Sequence, residues 1–147
     1  MLRRPDMNTF CCRHLLLSLS LLLVTACCEI PVGSHASPPS APAEVVCALV
    51  ESNAAVIKRT QTDFPKALRG GPGFTRETAW QVLVKDRAAV SFEYLVLGRL
   101  NLGAQQVQVL VEEDGRYYDM HLIDVEHGGE QYRIEQWFDI TPYFKSL

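Results

Sequence analysis

The stretch that decides the fold runs from residue 107 to residue 138 and reads VQVLVEEDGRYYDMHLIDVEHGGEQYRIEQWF. Its first segment, 107–111, has valine at every second position, and a strand turns alternate side chains to the same face. Asp114-Gly115 and Gly128-Gly129 divide the stretch, and such pairs are typical of tight hairpin turns. The stretch therefore predicts successive strands that form an antiparallel meander.

The middle segment of this stretch changes its apolar phase. Tyr118, Met120 and Leu122 fall on one face of a strand, whereas Ile123 and Val125 fall on the other. This change predicts either a β-bulge near Leu122 or a strand that is buried on both faces.

Two segments upstream add strands to the prediction. Alternating apolar residues, Val90 to Val96, indicate a strand of the same kind. Residues 75–85 fit either a helix or a strand. We favour a strand there, because β-branched residues dominate the second half of the segment.

Residues 44–59 read EVVCALVESNAAVIKR and predict an amphipathic helix, since their apolar residues recur at helical spacing. That apolar stripe and the alternating strands each need a surface to pack against. The sequence therefore predicts an α+β fold, with one N-terminal helix packed on a four- to five-stranded antiparallel meander sheet.

This order of elements, over residues 44–140, resembles that of cystatin-like and nuclear-transport-factor-like domains. The cystatin resemblance implies a protease inhibitor that uses a Gln-x-Val-x-Gly hairpin and a Pro-Trp pair. Gln105-Gln106-Val107 begins the first pattern, but Val109 stands at its fifth position. Trp137 follows Gln136 rather than proline. We therefore do not expect protease inhibition.

The N-terminal segment is predicted to be a signal peptide. Residues 15–26 read LLLSLSLLLVTA, which is shorter than the roughly 20 residues that span a bilayer as a helix. The following Val24-Thr25-Ala26-Cys27 resembles the bacterial lipobox. This resemblance implies cleavage after residue 26, a diacylglycerol on Cys27, and a protein held by its lipid at the cell envelope. Because Cys28 rather than Asp comes next, the resemblance favours the outer membrane, facing the periplasm.

The alternative is ordinary secretion. Ser34-His35-Ala36 has small residues at the positions that a signal peptidase reads, so cleavage near Ala36 would release a soluble periplasmic or secreted protein. Both interpretations place the mature chain outside the cytoplasm.

Residues 29–43 read EIPVGSHASPPSAPA and predict an extended linker. The expected organisation is a signal peptide at 1–26, a lipid-anchored linker at 27–43 and a single α+β domain at 44–147. Cys28 and Cys47 are candidates for a disulfide in an oxidising compartment. The alternative, which we favour, is a Cys47 thiol buried on its helix.

The net charge of −3 gives no reason to expect nucleic-acid binding. Residues 112–139 carry two Arg against nine Asp or Glu, which predicts either solvated strand faces or an acidic docking surface. Asp119 and His121 share a strand face, whereas His127 lies about 20 Å further along and cannot share an ion with His121. The sequence has no nucleophile motif and no phosphate loop. We expect no metal site, no cofactor and no enzymatic activity.

Aromatic side chains are the candidates for lining a cavity between helix and sheet, with polar contacts supplied by the helix. The candidate residues are Ser52, Asn53, Trp80, Tyr94, Tyr118, Tyr132 and Trp137. The alternative is that the aromatic rings simply fill the core.

The leading hypothesis is a lipid-anchored, non-catalytic binding or scaffold module. It would contact another envelope protein through a sheet edge or an acidic face. The alternative is a carrier or sensor that holds a small apolar ligand in the aromatic cavity. An enzyme that uses Asp119 and His121 would need both side chains to open onto a pocket.

Overall fold

The structure, a computed structural model, describes residues 36–146, so the signal segment, Cys27 and Cys28 lie outside the described residues. The elements, in chain order, are α1 (Ala43–Asp63), β1 (Leu68–Gly70), β2 (Trp80–Val82), α2 (Ala88–Leu100), β3 (Ala104–Glu113), β4 (Arg116–His127), β5 (Glu130–Asp139) and α3 (Thr141–Phe144). They form an α+β fold, as the sequence predicts. Among the described helices, none is long and apolar enough to cross a membrane.

The predicted N-terminal helix is confirmed as α1, and it ends at Asp63, beyond its expected end. Pro42 precedes its first turn, and Glu44 within that turn interacts favourably with the positive end of the helix dipole. Val45 and Ile57 are buried on its apolar face. The helix stops where the Phe64 N–H donates to a carbonyl one turn back.

The strand predicted at 90–96 is wrong, because α2 occupies this segment. Asp86 starts the helix by accepting the Ala88 N–H at 2.8 Å, and Asn101, with a left-handed φ of 45°, ends it. The buried positions lie at the spacing of one helix face: Ala89, Glu93, Val96 and Leu100. Because one of these four is a glutamate, the stripe does not read as apolar in the sequence.

The strands form one five-stranded sheet in the order β1-β2-β5-β4-β3. The predicted meander is confirmed, since β3 pairs antiparallel with β4 and β4 with β5. The prediction of an antiparallel-only sheet is wrong, because β2 lies parallel to β5, with Trp80 opposite Phe138. The strand favoured at 75–85 is confirmed only at Trp80–Val82, and a 3₁₀ turn, Arg76–Thr78, precedes it.

Both predicted hairpin turns are confirmed. Asp114 and Gly115 have φ values of 51° and 71°, and Gly128 and Gly129 have 63° and 83°. Two-residue hairpin turns of type I′ have positive φ at both positions, and their backbone twist matches the twist of the flanking strands. The glycines at three of the four positions adopt this conformation without steric cost.

The predicted irregularity near Leu122 lies on the neighbouring strand. The register of β3 shifts between Gln105 and Val107, opposite Leu122 and Ile123. On β4 itself, Ile123 is buried and Leu122 is half-buried. The two alternatives of the prediction therefore occur together: a β-bulge on β3 and at least partial burial of both faces of β4.

All three α-helices pack on one face of the sheet, which we call the inner face. The indole of Trp80 is fully buried there and donates to the Pro72 carbonyl at 2.9 Å. The apolar groups packed around it come from the short strands, from α2 and from β5: Leu68, Val82, Val96, Phe138 and Ile140. Burial of this surface supplies the main stabilisation of the fold.

Residues 39–41, which the sequence assigns to the linker, run beside β5. The Arg133 N–H donates to the Pro39 carbonyl at 2.7 Å, and the Ala41 N–H donates to the Arg133 carbonyl at 2.9 Å. Ser40 forms a parallel bridge with the same residue. Contacts with the sheet therefore begin a few residues before the predicted boundary at 44.

Candidate functional site

The face of the sheet opposite the helices, which we call the outer face, carries an apolar strip across three strands. The register places Val109 beside Met120 and Met120 beside Trp137. We define the apolar strip as Val107, Val109, Val111, Met120, Leu122 and Trp137. Val107 and Val109 are 47% and 37% exposed. Contiguous apolar groups open to water on one face are typical of an interaction surface.

Aromatic side chains anchor the strip at β4 and β5. The rings of Tyr118 and Trp137 meet edge to face with centroids 6.0 Å apart. The Trp137 indole donates to the Glu135 carboxylate at 2.9 Å, and the Arg116 guanidinium lies 5.7 Å from the centre of the Tyr118 ring. Tryptophan, tyrosine and arginine are the residues that most often dominate binding energy at protein interfaces.

Ion pairs border the apolar strip at both ends. At one end, a cavity of about 290 Å³ contains Arg76, paired with Glu113, and Arg116, paired with Asp139. At the other end, Arg133 donates two hydrogen bonds to the Asp124 carboxylate, at 2.7 and 3.0 Å. Because an acid matches each arginine, these groups form a polar rim rather than an anion site.

Strand β3 is the outermost strand on this side of the sheet, with β4 as its neighbour. Nine of its ten residues are exposed, and Val111 is half-buried. An edge strand of this length presents a row of open peptide groups on its outer side.

A carboxylate and an imidazole lie fully buried beneath α2. His121 Nε2 is 3.2 Å from Glu93 Oε2, and both side chains have no exposed surface. The imidazole also meets the rings of Phe138, at 5.4 Å between centroids, and Tyr94, at 6.0 Å. The second oxygen of Glu93 and Nδ1 of His121 have no hydrogen-bond partner within the described part of the chain.

A chain of hydrogen bonds links the region beneath α2 to the edge strand. The Gln108 amide on β3 donates to the Asp119 carboxylate at 2.9 Å, and its carbonyl accepts the Tyr94 hydroxyl at 3.2 Å. Asp119 and His121 do lie on the same strand face, as the sequence predicts. Tyr94 and Glu93, both on α2, reach this face from above.

Burial, which removes water from the charged form, raises the pKa of Glu93 to about 7; the nearby Asp119 carboxylate adds to the rise and His121 opposes it. A carboxylic acid with this pKa next to an imidazole is suited to hold a proton near neutral pH. Glu93 and His121 have no exposed surface, so the pair is enclosed between α2 and the inner face of the sheet. Because the pKa of Glu93 is raised, the pair makes the stability of the inner face depend on pH.

The structure does not bring the predicted cavity residues together. Trp80 fills the core, Tyr94 is 49% exposed, and Tyr118 and Trp137 lie on the outer face. Tyr132 donates to Glu130 near the second hairpin turn. Ser52 and Asn53 both bond back to the carbonyl of their own helix, at Leu49. Only Trp80 fills the core, with Tyr132 packed beside it, so the alternative, in which the aromatic rings fill the core, describes only part of the set.

Cys47 is exposed on α1, so the expectation of a buried thiol is wrong. Its partner in the predicted disulfide, Cys28, lies outside the described residues, and the disulfide stays a prediction. Within residues 36–146, no cluster of His, Cys, Asp and Glu has the size of a metal site.

The acidic run at 112–139 does not form a single surface. Asp119 and Asp139 are buried, and Glu113 and Asp124 are paired with arginines. The leading hypothesis names a sheet edge or an acidic face as the docking surface. Because the acids are buried or paired, the sheet edge with its apolar neighbours is the better candidate.

Sequence reasoning missed Glu93 and Gln108, because Glu93 lay within a predicted strand and Gln108 was treated as a spacer between valines. The helical spacing of Ala89, Glu93, Val96 and Leu100 was the available signal for α2. Comparison of the chain with family models, with curated proteins and with solved structures finds no match.

Proposed function

We propose that this chain is a non-catalytic binding module, held at the cell envelope by a lipid on Cys27, and that it docks another envelope protein on its outer face. The observation that carries the proposal is the apolar strip, which the three helices leave uncovered. The aromatic candidates lie on both faces of the sheet and at a hairpin turn, so the alternative of a carrier with an aromatic cavity gains no support from their placement.

The chemistry of the strip indicates the kind of partner. Valine, methionine and tryptophan side chains at its centre favour an apolar surface on the other protein. The ion pairs at both ends add groups of either sign at the rim, which favour specificity more than affinity. The partner is therefore expected to present an apolar patch that is bordered by polar groups.

Lipid attachment is tested by replacing the thiol that the lipobox resemblance assigns to it. In a Gram-negative host, Cys27→Ser is expected to move the protein from the outer-membrane fraction, because one signal for anchoring is lost. Mass spectrometry of the wild-type amino terminus should find an acylated Cys27. Cys28→Ser is the matched control and should stay in the membrane fraction. An amino terminus near Ser37 would support secretion instead.

Docking is tested by cross-linking the wild-type chain in intact cells and recovering it with its partners. Met120→Lys places a charge at the centre of the strip, at a half-buried position of β4 that lies away from the edge strand. Circular dichroism should show that the variant keeps its fold. The variant is expected to lose at least tenfold of the recovered partner. Ala54→Lys, at an exposed position of α1 on the other side of the domain, is the control. Equal recovery with both variants, or recovery of the bait alone, would refute docking at this face.

A further inference from the structure

The edge of the sheet at β3 has apolar groups on both of its sides. The large hydrophobic side chains that are exposed in residues 36–146 all lie at this edge: Val90, Tyr94, Val107, Val109 and Leu110. Val107 and Val109 belong to the outer face, whereas Leu110 lies opposite Asp119 and shares the inner face with α2. Tyr94 reaches β3 through its hydrogen bond to Gln108, and Val90 lies one helical turn before Tyr94.

The geometry of the hairpin determines which peptide groups are open. A two-residue turn makes the flanking residues, Glu113 and Arg116, a hydrogen-bonded pair. The peptide groups of Val111 and Val109 then point towards β4 as well. Those of Gln108, Leu110 and Glu112 point away from β4, so they form the open side of the edge.

We propose that β3 pairs with β3 of a second copy of this chain, antiparallel and about a two-fold axis at Val109. The two sheets then form one continuous sheet, and the two α2 helices lie on the same side of the seam. An extended peptide would occupy the strand edge but leave Val90 and Tyr94 exposed. A second copy would pair with the strand edge through its own β3, and its own α2 would also cover Val90 and Tyr94.

The charges on β3 favour the antiparallel direction and are compatible with this register. With the axis at Val109, Val107 lies opposite Val111 of the second copy, and Gln108 lies opposite Leu110. Glu112 of each strand then faces a glutamine, and the two acidic ends lie about 20 Å apart at ~3.3 Å per residue. A parallel arrangement in register would instead stack the glutamates of both copies, which is unfavourable.

This inference does not depend on docking at the outer face. Pairing at the edge does not cover the half-buried Met120, Leu122 and Trp137, and it doubles the apolar strip across the seam. The mass of the purified full chain measures self-pairing, whereas recovery of a partner from cells measures docking. The two proposals can therefore fail separately.

The first test measures the mass of the detergent-solubilised chain by analytical ultracentrifugation. The wild-type chain is expected to be a dimer, and Leu110→Pro a monomer, because proline removes an N–H that points away from β4. Circular dichroism should show that the variant keeps its fold. If proline unfolds the domain, Leu110→Lys replaces it, with the same expected loss of the dimer. A monomeric wild-type chain would overturn the proposal.

The second test examines the register by oxidation in a background that carries both Cys28→Ser and Cys47→Ser. Val109→Cys is expected to form a disulfide-linked dimer, because residue 109 faces itself across the axis in the closest kind of cross-strand pair. Val107→Cys is the matched control and should cross-link at least tenfold less, whereas a mixture of Val107→Cys and Val111→Cys chains should cross-link. Equal cross-linking of the two single variants would refute the two-fold axis at Val109.

Discussion

Each face of the sheet contains side chains that are unusual for its surroundings: polar groups are buried on the inner face, and apolar groups lie on the outer face. The inner face, which the helices cover, contains a fully buried glutamate, histidine and glutamine among the apolar side chains of its core. The outer face, which is open to water, has valine, methionine and tryptophan side chains along its three longest strands. Stability alone would favour apolar groups inside and polar groups outside.

This difference indicates that the inner face supplies most of the stability and that the outer face supplies the proposed binding surface. Trp80, Phe138 and their neighbours hold the domain together from the inner face. The outer face contributes less to stability, because the side chains of its apolar strip are half-buried or exposed rather than fully buried. We therefore expect substitutions on the inner face to lower the free energy of unfolding more than substitutions on the outer face.

The largest difference is expected between the two tryptophans. Trp80→Ala removes a fully buried ring and its hydrogen bond to Pro72, and should lower the free energy of unfolding by about 3–5 kcal/mol. Trp137→Ala, on the outer face, should lower it by about 1 kcal/mol. Urea denaturation of the two variants measures both values. Similar losses for the two variants would contradict the separation between the faces.

The buried carboxylate should give the inner face a dependence on pH. Glu93 has a folded-state pKa of about 7 against an ordinary value of 4.5, so the native state holds the extra proton between these values. The stabilisation from this proton is fully present below pH 4.5 and is lost as the pH rises through 7. Between pH 4 and pH 8, the stability of Glu93→Gln relative to the wild type should therefore rise by roughly 3 kcal/mol.

Urea denaturation at pH 4, 6 and 8 measures this change. The control is Glu126→Gln, at an exposed position of β4, whose difference from the wild type should vary much less with pH. A difference between Glu93→Gln and the wild type that stays constant over this range would show that Glu93 titrates normally in the folded chain.

The smallest effect on stability is expected at the centre of the apolar strip. Val109→Thr keeps the β-branched shape and exchanges one methyl group for a hydroxyl at a position that is 37% exposed. The free energy of unfolding should change by less than about 0.5 kcal/mol. Thermal unfolding checks this expectation. A loss of more than about 1 kcal/mol would mean that the outer face belongs to the core.

The sequence predicts the meander well, because its signals are local. Alternation in 107–111 and the residue pairs 114–115 and 128–129 determine strands and turns through backbone geometry that few other residues accept. The same argument predicts which side chains share the outer face. It does not predict that this face stays open, because coverage depends on where α1 and α2 pack.

The failures of prediction come from non-local effects. Glu93 occupies a core position of α2, so a pattern that counts only apolar residues finds a strand in place of a helix. The parallel pairing of β2 with β5 joins residues that are far apart in the chain, and neither segment carries a signal for its partner. The buried pair of Glu93 and His121 was missed for both reasons together.

The bridge between Ser40 and Arg133 has a mechanical consequence. The two backbone hydrogen bonds around Arg133 join residues 39–41 to β5, so a pull along the strand direction would load both bonds in shear. Under a shear load the two hydrogen bonds share the force, whereas a force that peels the segment away from β5 breaks them one after the other. A pull on the residues before Pro39 would thus reach β5, in the middle of the sheet, before it reached the first turn of α1.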